Sequence, residues 1–387
     1  MKDITTEKSS HATNRRSFVK KGLLAGAATA GAGLIIGSRK ASAAGLTLPP
    51  TPGDIAILRF LAAAELIESD LWVQYAQFGG LTPGQVPVET APFTPMNGYQ
   101  AAMMNLDSDG PQYISSNAGD EVSHATFLNA YLQSIGAPQV NFDKFRTLRS
   151  NPLSSTPTLT NLTQLSVDTT WYTRYHSTTN PDLGATFQPA IPQLTDGVFT
   201  ALPTTSAQLN PTTAQQVIDT QAIANTAAFH FGSIEQGGTS LYATLSQQVS
   251  NAEVLKITLS IGGDEICHFL EWVDFSGNSV QPPVAPITSS TGLTFPNFDV
   301  PGQPSLEPGG PSSLLQTNLI FPVPCEFISP NLPKCAIIRP TSSAQGGAVA
   351  AIKGFVASGL FIGQPQSFVN LLLEMAEAAD AAQRIIL

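Results

Sequence analysis

Two short stretches of the chain carry the same residues at the same spacing. Residues 119–124 read Gly-Asp-Glu-Val-Ser-His, and residues 263–268 read Gly-Asp-Glu-Ile-Cys-His. On a helix, residues three apart project from one face, so the Glu and the His of each stretch can reach the same ion. Carboxylates and imidazoles bind first-row divalent metals such as iron and manganese. The metal ligands predicted from these stretches are Glu121, His124, Glu265 and His268.

A second signal is also duplicated. Glu68 is followed seven residues later by Tyr75, and Glu235 is followed seven residues later by Tyr242. Seven residues make about two helical turns, so each pair lies along one stripe of its helix. Each of these Glu residues precedes one Glu-x-x-His stretch. We therefore add Glu68 and Glu235 to the predicted ligands and expect the two tyrosines close behind them.

Three further acidic residues are candidates for supporting roles. Glu65 lies one turn before Glu68, so both could approach the site, but only Glu68 has a Tyr seven residues on. We choose Glu68 as the ligand and keep Glu65 as its neighbour or substitute. Asp120 and Asp264 precede the two repeated Glu residues and could each accept a hydrogen bond from the far nitrogen of a ligating His on a neighbouring helix.

Hydrophobic periodicity and capping residues predict four long helices. They span 53–78, then 99–135 with a break at 107–111, then 211–249 with Asn210 as N-cap, and finally a helix capped by Asn251 that ends near 277. Only one or two residues are predicted between the third and fourth helices, which forces them antiparallel and sets Glu235 level with Glu265. Two helical hairpins would thus give four carboxylates and two imidazoles to a bundle interior, a ligand set typical of di-iron and di-manganese proteins.

The ligand order Glu, Glu-x-x-His, Glu, Glu-x-x-His resembles that of the ferritin-like superfamily. Three short sequences are similar to those of its exported, desiccation-related branch: Glu-Leu-Ile-Glu at 65–68, Asp-Glu-Val-Ser-His at 120–124 and Ile-Glu-Gln-Gly-Gly at 234–238. The resemblance covers roughly 52–136 and 211–276. It implies a mainly α fold, a ferritin-like four-helix bundle with a long crossover, and two iron ions or two manganese ions. It also implies that Glu121 and Glu265 bridge the metals.

The N-terminal residues predict an export signal. The stretch Asn-Arg-Arg-Ser-Phe-Val-Lys at 14–20 resembles the twin-arginine motif, and an apolar run over 22–37 is followed by Ala-Ser-Ala at 41–43. We therefore expect residues 1–43 to be removed, the twin-arginine export machinery to be a partner, and the protein to be periplasmic or secreted. The remaining chain has 10 basic and 26 acidic residues, a formal charge of −16. So acidic a protein, with no basic stripe, is not expected to bind nucleic acid.

The rest of the chain is divided by composition. We assign 44–276 to the bundle, with an aromatic-containing insertion at 139–210 that packs on its outside, and 277–387 to a Pro/Gly-rich extension. Short apolar runs at 319–323 and 335–338 suggest strands, and 365–387 has helical spacing. Cys325 and Cys335 are placed to close a small disulfide loop. Cys267 is predicted to be a buried packing residue, and His230 a core or interface histidine.

Four functional readings fit these residues. The first is a di-metal oxidoreductase acting on ferrous ion, oxygen or peroxide in stress protection, and the second is a manganese-catalase-like enzyme on the same ligands. The third is a structural, desiccation-protective protein without turnover, and the fourth is a buried polar cluster that binds no metal. The sequence does not identify catalytic residues or choose between iron and manganese. It also does not show whether the protein forms a homo-oligomer.

Overall fold

The computed structural model describes residues 48–81, 94–175, 187–298, 329, 331–333 and 346–385. Its α-helices are α1 (Pro52–Gly79), α2 (Gly98–Leu106), α3 (Gly110–Ser134), α4 (Thr170–Tyr175), α5 (Ser206–Leu209), α6 (Ala214–Ser246), α7 (Ala252–Gly277), α8 (Ala348–Ala357) and α9 (Gln366–Asp380). Short 3-10 helices span Asp143–Phe145, Pro192–Asp196 and Asn278–Val280. Strands β1 (Ile287–Thr288) and β2 (Thr294–Phe295) pair antiparallel, with Ile287 opposite Phe295. The described chain is mainly helical, which confirms the predicted fold class.

The four long helices form a bundle made of two hairpins. Helix α1 packs along α3, and α6 packs along α7. The hairpins are set side by side, with α3 next to α7. Helix α2 joins α1 to α3 and packs on α6, while α9 covers α1 from outside. This arrangement leaves the middle of each long helix facing the interior between the hairpins.

Local capping fixes where the long helices begin. The Thr51 hydroxyl accepts from the Asp54 amide while the Asp54 carboxylate accepts from the Thr51 amide, which satisfies two donors that α1 would otherwise leave free. Asn251 caps α7 as predicted, because its side-chain oxygen accepts from the amides of residues 253 and 254. The start predicted for α6 was wrong. Thr213 and Gln216 form a reciprocal capping pair there, which replaces Asn210 as the cap.

The turns and the C-terminal region differ from the sequence prediction in detail. Residues 247–251 separate α6 from α7, more than the one or two expected, yet the two helices still form an antiparallel hairpin. The predicted C-terminal helix is present as α9. Helix α8 was not predicted, because its Gly- and Ala-rich sequence lacks a polar face that would reveal helical periodicity.

Aromatic side chains from both hairpins pack against one another in the core. Trp72 of α1 stacks on Trp272 of α7 with ring centroids 5.2 Å apart, and Phe231 of α6 contacts Trp72 at 4.8 Å. All three side chains are fully buried. Each such ring pair contributes roughly 0.5–1.5 kcal/mol beyond the area it buries. The stack therefore fixes how far the hairpins stand apart at the level of the site.

The described residues of the insertion at 139–210, which was predicted to pack on the outside of the bundle, pack against α6 and contribute to the core. Trp171 is fully buried, its indole N–H donates to the carbonyl of Phe229 at 3.2 Å, and its ring fills the space where Gly232 has no side chain. Burial of so large an aromatic residue explains why the segment is more aromatic than a flexible linker.

Several predicted features lie outside the described residues. These are the signal at 1–43, the apolar runs at 319–323 and 335–338, the Cys325–Cys335 pairing and His176, which we expected at the surface. Among the described helices, none is both long and apolar enough to span a membrane.

Candidate metal centre

The four long helices bring seven titratable side chains to one place between the hairpins. They are Glu65 and Glu68 from α1, Glu121 and His124 from α3, Glu235 from α6, and Glu265 and His268 from α7. Four of the carboxyl groups are at most 1% exposed, those of Glu65, Glu121, Glu235 and Glu265. The six ligands predicted from the sequence are thus grouped together, and Glu65 lies among them.

The first half of the cluster centres on the His124 ring. Its Nδ1 lies 3.2 Å from Glu121 Oε2, 3.5 Å from Glu65 Oε2 and 3.7 Å from Glu265 Oε1. Two ligand atoms bound at right angles to one ion, each about 2.1 Å from it, stand about 3 Å apart. These separations therefore match atoms that share a single cation.

The second half has the same construction around His268. Its Nδ1 lies 3.1 Å from Glu121 Oε1 and 3.4 Å from Glu235 Oε2. Glu121 thus offers one carboxylate oxygen to each half. A carboxylate that faces two sites at once has the geometry of a bridge between two ions.

The contacts show how the two hairpins correspond. Tyr242, seven residues after Glu235, donates its hydroxyl hydrogen to Glu65. The indole N–H of Trp72, seven residues after Glu65, lies beside Glu235 without completing a hydrogen bond. Glu65 is therefore the structural counterpart of Glu235, a place that the sequence pattern gave to Glu68.

Glu68 and Tyr75 have other surroundings. Glu68 approaches Glu235 and Glu265 instead of a histidine. The Tyr75 hydroxyl hydrogen-bonds Nδ1 of His230 at 2.6 Å and does not contact the cluster, which corrects the expected position of this tyrosine. His230 is buried, as predicted. The sequence analysis did not predict a role for Trp72. A search for any aromatic residue seven positions after a Glu, instead of Tyr alone, would have found Trp72 after Glu65.

Each histidine ring is held from its far side by an aspartate of the opposite hairpin. His124 Nε2 lies 3.2 Å from Asp264 Oδ2, and His268 Nε2 lies 3.4 Å from Asp120 Oδ2. Both aspartates are roughly half exposed. An N–H donated from Nε2 leaves the Nδ1 lone pair directed at the carboxylates, which is the tautomer that a metal ligand needs.

Replacing Asp264 by asparagine should keep the fold and weaken metal retention about 10- to 100-fold, because a neutral amide holds the His124 ring less firmly. Competition with a chelator of known affinity measures this change. Equal retention in wild type and in Asp264→Asn would remove the orienting role of Asp264. Serine at position 260, an exposed residue of the same helix, provides the control substitution Ser260→Ala.

A family model for the ferritin-like domain matches residues 53–269, which include all seven side chains of the cluster. The chain belongs to the ferritin-like domain family. No curated protein matches this chain, and no solved structure matches it either. The ferritin-like domain thus covers the bundle together with its long crossover, while α8 and α9 lie beyond the match.

Burial raises the pKa of four carboxyl groups in this ferritin-like cluster. Burial raises the pKa of Glu65 to about 8, against the nearby His124 ring, which lowers it. Burial and the charges of neighbouring glutamates raise the pKa of Glu68 and of Glu265 well above the usual value. The pKa of Glu235 is also raised, chiefly by burial.

The two histidines are shifted in the direction that favours their cations. Burial lowers the pKa of His124, but Glu121 and Glu65 outweigh burial and raise that pKa to about 10. In the same way Glu121 and Glu235 overcome burial and raise the pKa of His268 to about 11. The ferritin-like bundle therefore concentrates negative charge that only protons or other cations can neutralise.

The donor set fits metal ions better than it fits internal hydrogen bonding. Buried polar atoms normally have a hydrogen-bond partner. Here several buried atoms of the cluster have none: Glu65 Oε2, Glu68 Oε1, Glu121 Oε1, Glu235 Oε2, both carboxylate oxygens of Glu265, and His268 Nδ1. These atoms face one another across the interior, so cations placed among them would satisfy most of them at once. The buried Glu and His residues could therefore hold a metal.

Two glycines and one cysteine lie close to ligand residues in the sequence. A Cβ at Gly238 would collide with Glu265 Oε2, so glycine there lets the carboxylate lie against α6. The neighbouring Gly237 faces open space instead. Cys267, which the sequence analysis expected to be buried, is exposed, because its position between Glu265 and His268 turns it to the outside of α7.

Proposed function

We propose that this protein holds a di-iron centre and performs redox chemistry on ferrous ion, oxygen or peroxide. The observation that carries this proposal is the repeated half-site, in which each histidine Nδ1 faces one terminal carboxylate and the shared Glu121. Two equivalent half-sites joined by a shared carboxylate favour two ions over one. Oxygen-rich ligation favours iron or manganese, and the described cluster contains no thiolate.

The proposed ligands follow the contacts. Glu65 and His124 would hold an ion in the first half, and Glu235 and His268 would hold an ion in the second half. Glu121 and Glu265 lie between the two halves and are proposed to bridge them, as the ferritin-like resemblance implies. Glu68 is an additional carboxylate at the edge of the second half.

Two bound iron ions would supply reversible one-electron oxidation and Lewis acidity at positions shielded from bulk water. The chain itself contributes orientation, charge and protons. Tyr242 donates to Glu65 and so fixes which carboxylate oxygen remains free for an ion. Asp120 and Asp264 hold the histidine rings. The buried stack of Trp72 on Trp272 separates the cluster from water on the side where α1 meets α7.

The biological setting is part of the same proposal. The twin-arginine-like leader and the similarity to the exported, desiccation-related branch support a role in protecting the cell envelope against oxidative or drying stress. A formal charge of −16 for the chain after residue 43 would raise the local concentration of ferrous ion. Oxidation of that ion, or removal of peroxide, would then take place outside the cytoplasm.

Metal analysis tests the function directly. The full chain is stripped with a chelator, reloaded with ferrous ion without oxygen, and analysed by elemental mass spectrometry. We expect two iron ions per chain and consumption of oxygen or peroxide by the loaded protein. Retention of manganese in preference to iron would support the catalase-like alternative. Fewer than one ion of either metal per folded chain would contradict the proposal.

Glutamine substitutions distinguish the roles of Glu65 and Glu68, the two carboxylates of α1. Glu65→Gln should reduce occupancy to about one ion per chain, because Glu65 is the terminal carboxylate beside His124. Glu68→Gln should retain two ions, because Glu68 contacts no histidine. Glutamine preserves the shape of both side chains, so each variant is the control for the other. Loss of an ion in Glu68→Gln alone would restore the assignment that the sequence pattern favoured.

A further inference from the structure

A cavity of about 310 Å³ adjoins the cluster on the side of α1 and α6. Its walls come from these two helices, from α8 and from residues of the crossover. A water molecule occupies about 30 Å³ in the liquid, so the space far exceeds the size of oxygen or peroxide. The volume falls at the lower end of the range for pockets that hold small organic ligands.

The walls of this cavity are mainly apolar. Ile67, Leu71, Leu241 and Phe355 contribute hydrocarbon surface. Asp168 adds an acidic group, and no Lys or Arg is among the described residues that line the cavity. Uncharged polar side chains also line it, those of Ser166, Ser233, Gln236, Ser240 and Ser358. A carboxylate or phosphate would therefore meet no compensating positive charge here, and burial without such a partner is unfavourable.

Two titratable side chains besides Asp168 line the cavity. Glu68 lines it with part of its side chain, while its carboxylate oxygen Oε1 is buried away from the open space and has no hydrogen-bond partner. His230 also lines it, and its Nδ1 is engaged by Tyr75. Burial lowers the pKa of His230 to about 3, so the ring is neutral at physiological pH. When Tyr75 donates to Nδ1, the other ring nitrogen carries the hydrogen and is a donor.

We propose that this cavity binds an uncharged, mainly apolar organic molecule whose single polar group points to Glu68 and His230. A molecule bound in this cavity would be a substrate of the proposed di-metal centre, and in that respect the inference rests on the proposed function. Glu68 links the two, since it lines the cavity and also lies within the carboxylate group that includes Glu235 and Glu265. A ring with one hydroxyl group fits within the volume and matches walls that are mainly apolar and include Glu68 and His230.

Two glycines that line the cavity have room for the first carbon of a side chain. A Cβ at Gly237 of α6 or at Gly354 of α8 would meet no atom within 4 Å, and both residues line the cavity. Gly119 of α3 also has nothing within 4 Å, but it does not line the cavity. All three are helix-interior glycines, where a side chain that fits favours the helix. Gly237→Leu and Gly354→Leu are therefore the tests, and Gly119→Leu is the matched control.

The probe is p-cresol, which is uncharged at pH 7, and p-toluate is its charged analogue. Binding to the full chain is measured by isothermal titration calorimetry, with the protein free of metal and loaded with iron. We expect p-cresol to bind with a Kd in the millimolar range or below and p-toluate to bind at least 10-fold more weakly. Each cavity-filling leucine should weaken p-cresol binding at least 10-fold, while Gly119→Leu should leave it unchanged.

The outcomes separate this inference from the metal assignment. Binding of p-cresol to metal-free wild type that is lost in both leucine variants supports the cavity, even if iron loading fails. Absence of p-cresol binding, equal binding of p-toluate, or equal loss in Gly119→Leu would overturn it, even if two iron ions bind. Unchanged binding in Gly237→Leu and Gly354→Leu would show that the probe binds elsewhere, and this too would overturn the proposal.

Discussion

Replacing Glu121 by alanine should reduce metal occupancy from two ions per chain to one or none. Glu121 directs one oxygen to His124 and the other to His268, so its loss removes a ligand from both halves of the cluster. Glu265→Ala should have a similar effect, because Glu265 approaches His124 and lies in the group that contains Glu68 and Glu235. Elemental analysis of each reloaded variant measures the change.

The fold should survive both substitutions. Glu265→Ala relieves repulsion among the neighbouring carboxyl groups of the metal-free protein, and in Glu121→Ala the rings of His124 and His268 keep Glu65 and Glu235 as carboxylate partners. Circular dichroism and thermal unfolding of the metal-free variants test this point. Glu253→Ala is the control, because Glu253 is a carboxylate in the first turn of the same helix α7 and lies outside the cluster. Two ions in folded Glu121→Ala and Glu265→Ala would exclude the bridging assignment.

Metal loading should release two or more protons per chain at pH 7. The neighbouring carboxylates raise the pKa of His124 to about 10 and that of His268 to about 11, so both rings are cationic when no metal is bound. Each Nδ1 must lose its proton before it can bind an ion. Affinity should therefore rise with pH, by on the order of 100-fold per pH unit for two protons. Calorimetry in two buffers with different enthalpies of ionisation counts the protons.

The same shifts set the stability of the metal-free protein. Glu65 and the two histidines have folded-state pKa values above their usual values of 4.5 and 6.5. Their stabilising contribution is complete below those usual values and is lost as pH rises towards about 8 for Glu65 and towards about 10 to 11 for the histidines. Each extra proton bound by the folded state lowers the free energy of unfolding by about 1.4 kcal/mol per pH unit of increase.

Thermal melts from pH 5 to pH 9 measure this dependence. The chelated protein should melt at lower temperature as pH rises, and the iron-loaded protein should show a smaller change, since ions replace the lost protons. A melting temperature of chelated protein that rises across this range would contradict the proposed charge balance. So would loading that releases no proton.

The helices and the general position of the site could be predicted from sequence because their signals are local. Glu121 and His124 are separated by one turn of one helix, and so are Glu265 and His268. The Asn251 cap likewise depends on residues two and three positions away. Such signals need no knowledge of how the helices pack. The repeated Glu-x-x-His spacing was therefore sufficient to identify the bundle interior.

The choice between Glu65 and Glu68 could not be made in the same way. Both residues face the interior, and the one that meets His124 is set by how far α1 is displaced along its axis relative to α3 and α6. That displacement depends on long-range packing, including the Trp72 ring between the hairpins. The cavity also escaped prediction, because its wall from α8 lies far away in sequence.

The stacked indoles of Trp72 and Trp272 have a practical consequence. One ring edge faces Glu235, so the pair lies within a few ångströms of the positions where ions would bind. The sequence contains only three tryptophans, and two of them are in this stack. Ultraviolet emission of the unlabelled chain is therefore dominated by residues beside the cluster. A paramagnetic ion bound there would quench that emission, so the protein contains its own optical reporter of loading.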